Sequence, residues 1–124
     1  MDKKSILVVD DDDGVREIIQ FSLEAAAGWT VDTAACGQDG IAIAKAKSPD
    51  LILLDVMMPG EDGIDVFKQL QADPVTQSIP TIFLTAKARM SEHQALLQIG
   101  VLGVITKPFK ARELTQQIEQ LLGW

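Results

Sequence analysis

Four apolar runs in this chain each stop at a polar residue. Ile6-Leu7-Val8-Val9 runs into Asp10-Asp11-Asp12-Asp13, and Leu51-Ile52-Leu53-Leu54 into Asp55. Ile82-Phe83-Leu84 runs into Thr85, and Gly103-Val104-Ile105-Thr106 into Lys107-Pro108. Runs so short and continuously apolar suit strands buried on both faces of a parallel sheet. Strands of one parallel sheet bring their C-terminal ends to a common edge. That edge would carry several carboxylates, one hydroxyl and one ammonium, which together suit a divalent cation and a phosphoryl group.

The segments between these runs read as crossovers. Val15, Ile18, Ile19, Leu23 and Ala26 recur at helical spacing, with Gly28 as a stop. Trp29 to Ala35 alternates loosely and suits a strand at or near a sheet edge. Gly37 to Lys47 suits a helix with Ile41 and Ala44 inward, ended near Ser48-Pro49, since the residue before proline resists helix. Met58-Pro59-Gly60-Glu61-Asp62-Gly63 is a dense turn signal. Ile64, Phe67 and Leu70 stripe the next helix, and Ser91 is placed to cap another that runs to about Ile99. Leu114, Ile118, Leu121 and Leu122 mark the last. Five strands alternating with five helices predict a doubly wound α/β domain, because right-handed crossovers cover both faces of the sheet. Ligands of such sheets bind outside the carboxyl ends of the strands.

The 124 residues suit a single domain spanning 1–124, and 47% hydrophobic with 23% charged residues is an ordinary globular balance. A net charge of -7 lacks the basic footprint of a nucleic-acid binder. No stretch approaches the roughly 20 apolar residues that span a bilayer, and the N-terminus does not read as a secretory signal. The lone Cys36 has no internal disulfide partner, so a cytoplasmic location is expected.

Asp10, Asp11 and Asp55 would place three carboxylates close together, where like charges repel unless a cation intervenes. Mg²⁺ takes oxygen ligands and accepts one or two carboxylates plus phosphate oxygens. A carboxylate can itself be the nucleophile and form an aspartyl-phosphate. Lys107 would then face phosphate oxygens and Thr85 would donate a hydroxyl. Each residue has a plainer reading: an acidic run can be a solvated loop or helix cap, with Asp13 suited to the N-cap. Asp55 can be a turn residue, Thr85 a strand end and Lys107 a solvated charge. The agreement of four strand ends in one fold favours the chemical reading.

The segments VVDDDDGVRE, LILLDVMMPGEDG, FLTAKA and GVITKPF, in this order, resemble the receiver domain of two-component response regulators. The resemblance extends over essentially the whole chain. It implies a flavodoxin-like sheet of strand order 2-1-3-4-5. It implies that Asp55 accepts a phosphoryl group, with Thr85 the switch hydroxyl and Lys107 the phosphate-binding lysine. Mg²⁺ would be held by Asp11 directly, Asp10 through water, Asp55 and the backbone carbonyl of Met57. A cis peptide between Lys107 and Pro108 is also implied. The phosphoryl donor would be a sensor histidine kinase or a histidine phosphotransfer protein. A downstream protein would read the surface of the fourth helix, fifth strand and last helix. Such a chain, expected here to be a stand-alone chemotaxis-type receiver, is not an enzyme beyond its own phosphorylation and dephosphorylation.

Two departures from the family pattern stand out. Val104 occupies the position where many receivers carry an aromatic switch residue, which predicts a weaker or differently routed switch. Met57 and Lys87 flank the path of attacking water, and this pair is expected to slow hydrolysis of the acyl phosphate. His93 reads as an exposed residue, and Trp124 as packing on the last helix or fraying. Two other functions fit parts of the sequence. Asp11-Asp12-Asp13-Gly14-Val15 fits the D-x-D-G-[TV] pattern of haloacid-dehalogenase-type phosphatases, with Asp11 as nucleophile and Asp13 as acid/base. A receiver-like interaction module that works without phosphate is the other.

Overall fold

The computed structural model describes residues 3–86 and 89–124; Lys87 lies outside the described residues. Among these, five parallel strands form one sheet: β1 (Ser5–Val9), β2 (Thr30–Ala34), β3 (Leu51–Asp55), β4 (Thr81–Thr85) and β5 (Gly103–Thr106). Their order is 2-1-3-4-5, as the family pattern implied. Five helices connect and follow them: α1 (Asp13–Ala27), α2 (Gly37–Lys47), α3 (Gly63–Ala72), α4 (Met90–Gln98) and α5 (Ala111–Leu122). Met57–Met58 and Glu61–Asp62 add a small antiparallel ladder after β3.

The period-two geometry of the strands divides the core. Leu7, Val9, Leu54 and Phe83 pack on one face with Phe67 and Leu70 of α3 and Leu96 of α4. Ile6, Val8, Leu53 and Leu84 pack on the other with Ile19 and Leu23 of α1 and Leu114 and Ile118 of α5. All five residues of β3 and of β4 are buried. The central strands are therefore covered by helices on both sides, and only their ends can meet a ligand.

Several local expectations shift. The N-cap of α1 is Asp12, whose side chain accepts the Val15 N–H at 3.1 Å, and Asp13 lies inside the helix. The helix α4 starts at Met90, so Ser91 is helical and caps nothing. Ile18 is 51% exposed: the core-facing stripe of α1 passes through Ile19 and Leu23. Gly28 ends α1 in the left-handed region at φ 67°, as a glycine stop should. Trp124 does pack, against the core cluster that holds Leu114 and Ile118 of α5 and edge-on to Trp29, with ring centroids 5.3 Å apart.

Candidate functional site

The pocket begins with the way β1 ends. The Asp10 N–H still pairs with the Ala34 carbonyl at 3.1 Å, which extends the sheet by one residue and buries Asp10 completely. Both oxygens of its carboxylate are engaged. One accepts the Asp12 N–H at 2.9 Å and the other the Lys107 ammonium at 2.7 Å. The Arg16 guanidinium bonds the Asp10 carbonyl at 2.6 Å and also pairs with Asp13, so the first turn of α1 holds the loop from behind.

Asp55 ends β3 and is 5% exposed. Its carboxylate accepts the Met57 N–H at 3.3 Å and lies 3.4 Å from the Lys107 ammonium. Burial pushes its pKa from 3.8 to about 6, and the neighbouring Asp10 charge adds to the rise. Lys107 and the Met57 N–H pull the other way. For Lys107, burial works against the ammonium, yet the hydrogen bond and charge of Asp10, then those of Asp55, raise its pKa above the ordinary value. The cation is thus held charged between two acids.

Asp11 is exposed beside this pair. Asp10, Asp11 and Asp55 each offer a carboxylate oxygen, and the three atoms lie within 4.8 Å of one another. Thr85 is 1% exposed at the end of β4, and its carbonyl accepts the Lys107 N–H at 2.7 Å. The β4–β5 register, Thr85 opposite Thr106, sets the lysine one residue beyond the hydroxyl-bearing strand end. The Lys107-Pro108 peptide is cis. The acids, the threonine and the lysine named from sequence therefore gather at one edge of the sheet. Met57 follows directly, with its side chain 64% exposed.

Sequence reasoning missed three supports of this pocket. Arg16 was one; its spacing of three from Asp13 was the available signal. Gly63 was another: a Cβ there would meet the Asp55 carbonyl oxygen at 2.2 Å, so this close approach admits only glycine. The third was His93, which is half-buried rather than exposed, with Nε2 3.2 Å from Thr106 Oγ1.

The model of the response regulator receiver domain matches residues 6–119. The chain belongs to the response regulator receiver family. The phosphate regulon transcriptional regulatory protein PhoB of Pseudomonas aeruginosa is 41% identical over 119 residues, 96% of this chain and 52% of that protein. The alkaline phosphatase synthesis transcriptional regulatory protein PhoP of Bacillus subtilis is 39% identical over 119 residues, 96% of this chain and 48% of that protein. This receiver thus spans about half the length of these curated relatives. The structure of a putative response regulator from Chloroflexus aurantiacus superposes with a TM-score of 0.88 at 32% identity, covering 99% of this chain and 100% of that one. The chemotaxis response regulator CheY4 of Vibrio cholerae gives 0.89 at 28% identity, covering 97% and 99%. Receivers of this family work in phosphorylation-dependent two-component signalling, together with histidine kinases and downstream effectors. Among the described residues no helix is long and apolar enough to cross a membrane.

Proposed function

We propose that Asp55 is the phosphoryl acceptor of this receiver and that Mg²⁺ bound by Asp10, Asp11 and Asp55 assists the transfer. The carrying observation is the convergence of three carboxylates within 4.8 Å with Lys107 at 2.7 and 3.4 Å from two of them. These are hard oxygen donors, the set Mg²⁺ prefers, and the Met57 carbonyl is the further ligand assigned by the family pattern. When bound, Mg²⁺ would supply positive charge to the phosphoryl oxygens.

The chain's own groups do the rest. A carboxylate oxygen of Asp55 attacks the phosphorus of a phosphohistidine donor. The O–P bond forms as the P–N bond breaks, and the leaving imidazole keeps the electron pair and takes a proton from solvent. The Lys107 ammonium turns from the carboxylates to the transferred phosphoryl oxygens, and the Thr85 hydroxyl donates to another. Burial of Asp55 on all sides but the pocket mouth limits access of water. The product biases the α4–β5–α5 surface toward a partner-binding state. Turnover is confined to this one carboxylate, so the chain is a switch rather than an enzyme acting on external substrates, and it works in the cytoplasm.

The dehalogenase-type reading loses support from the geometry, because Asp13, its acid/base, sits in α1 paired with Arg16. The test is labelling with acetyl phosphate and Mg²⁺, then with a phosphorylated histidine donor, for wild type and Asp55→Asn. Loss of label in the variant is expected. Unchanged labelling would reject Asp55 as acceptor.

A further inference from the structure

The segment that follows the acceptor is a narrow ribbon, 57–62, in which Met57 pairs with Asp62 and Met58 with Glu61. A ladder this short does not hold itself together in water and depends on what it is tied to. Its base is fixed: the Val56 N–H bonds the Leu84 carbonyl at 3.0 Å, and the Gly63 N–H bonds the Val56 carbonyl at 2.8 Å. Met58 packs into the core. On the opposite strand of the ribbon, the Glu61 carboxylate crosses to α2, 24 residues back in the chain, and accepts the Gly37 N–H at 2.8 Å.

Gly37 is the first residue of α2, and Cys36 at the N-cap makes no side-chain cap hydrogen bond. A helix start leaves its first N–H groups without intrahelical partners and carries partial positive charge, so a carboxylate arriving from another element satisfies both. The backbone at this point is shaped to admit it. A Cβ on residue 37 would come within 2.5 Å of Glu61 Oε2 and within 2.5 Å of Val66 Cγ2.

We propose that Glu61 is a positioning residue for the metal pocket, acting through its bond to the start of α2; this rests on the reading above that Mg²⁺ fills the pocket with the Met57 carbonyl among its ligands. Met57 precedes Met58, the residue opposite Glu61 in the ladder, and its N–H already bonds Asp55 at 3.3 Å. Anchoring Glu61 on α2 fixes the tilt of the ribbon and with it the direction of the Met57 carbonyl, as groups one step behind a metal ligand commonly do. Binding free energies are reciprocal. A metal that gains from the Glu61–Gly37 bond must therefore strengthen that bond in turn.

The test is calorimetric titration of Mg²⁺ into the unphosphorylated chain, with amide exchange of Gly37 followed by NMR. Glu61→Ala should weaken Mg²⁺ binding about tenfold, while Glu61→Gln, which keeps the acceptor oxygen, should stay within about twofold of wild type. Gly37→Ala should reproduce the loss, and the double variant Gly37→Ala, Glu61→Ala should be no weaker than either single one, since both break the same tie. In the wild type Mg²⁺ should slow exchange at Gly37. With Mg²⁺ at saturation, acetyl-phosphate labelling of Asp55 in Glu61→Ala should reach the wild-type extent. Unchanged Mg²⁺ affinity in Glu61→Ala overturns the proposal, as do additive losses in the double variant or Gly37 exchange indifferent to Mg²⁺. A Glu61→Gln as weak as Glu61→Ala also overturns it, because charge rather than the tie would then be responsible. A wild type that binds no Mg²⁺ removes the metal reading itself, and this proposal with it.

Discussion

Replacing the acceptor with asparagine should stabilise the metal-free protein at neutral pH. In the folded chain Asp55 is buried beside Asp10, and its pKa stands at about 6 against an ordinary 3.8. The folded state therefore keeps a proton between these values that the unfolded state has already released. Unfolding in this window releases a proton, so stability falls as pH rises from about 4 to about 6. About two pKa units correspond to about 3 kcal/mol between the protonated and fully ionised ends. The amide of the Asp55→Asn variant would carry no charge and would escape that loss, while the Asp10–Lys107 pair at 2.7 Å remains in place.

The assay is urea denaturation in EDTA across pH 4 to pH 8, followed by tryptophan fluorescence. At pH 7.5 Asp55→Asn should exceed wild type by about 2–3 kcal/mol, or roughly 6–12 °C in melting temperature. At pH 4 the two should agree within about 0.5 kcal/mol, since Asp55 is then protonated in the fold. Added Mg²⁺ should stabilise wild type more than the variant, narrowing the gap by mass action on the native state. Two pH profiles that run parallel, with a constant offset, would refute the claim that the ionised Asp55 carboxylate is what strains the pocket.

Lys107→Ala removes the cation from a fully buried Asp10 and should destabilise the metal-free protein by about 2–3 kcal/mol near pH 7, read from the same urea curves, with partial recovery in Mg²⁺. Gly63→Ala drives a Cβ into the Asp55 carbonyl and the Val56 Cα, and should cost about 2–3 kcal/mol while slowing phosphorylation; a loss under about 0.5 kcal/mol would count against it. Met57→Asn places a group able to orient water at the mouth of the pocket and should shorten the lifetime of the phosphorylated chain, measured by decay of label after removal of the donor. Thr106→Val removes the bond to His93 and should leave labelling of Asp55 unchanged while shrinking phosphate-dependent NMR shifts in α4.

The sheet was legible because its strands are buried on both faces and so read as unbroken apolar runs. Their polar terminators could then be assigned to one edge without any contact being known. The helices were less legible. A surface helix shows its inward stripe only against the background of its outward one, and α1 carries Ile18 and Phe21 on the outside, so Ile18 joined the wrong stripe. Four consecutive aspartates hid the N-cap: which one caps depends on where β1 stops, and that is set by the Asp10–Ala34 bond across the sheet. His93 was misread for a similar reason. Its neighbours in sequence are polar, and its partner Thr106 is thirteen residues away on another element.

That hidden contact bears on the missing aromatic residue of β5. Val104 is half-buried and packs against the α2–α3–α4 side of the core, with no ring to exchange between two poses. The sequence thus lacks the usual link from a strand end to the outer surface, and near that strand end the structure holds a polar contact between β5 and α4. The Thr85 carbonyl holds the Lys107 N–H at 2.7 Å, Thr106 immediately precedes that lysine, and its hydroxyl meets His93 on α4 at 3.2 Å. Displacement of Lys107 toward a phosphoryl group would pull on the backbone that carries Thr106, and a directional hydrogen bond transmits such a pull where loose aliphatic packing would yield. A route from pocket to α4 through these groups would be polar and short, and it would depend on two residues, Thr106 and His93, that no inspection of β5 alone would pair.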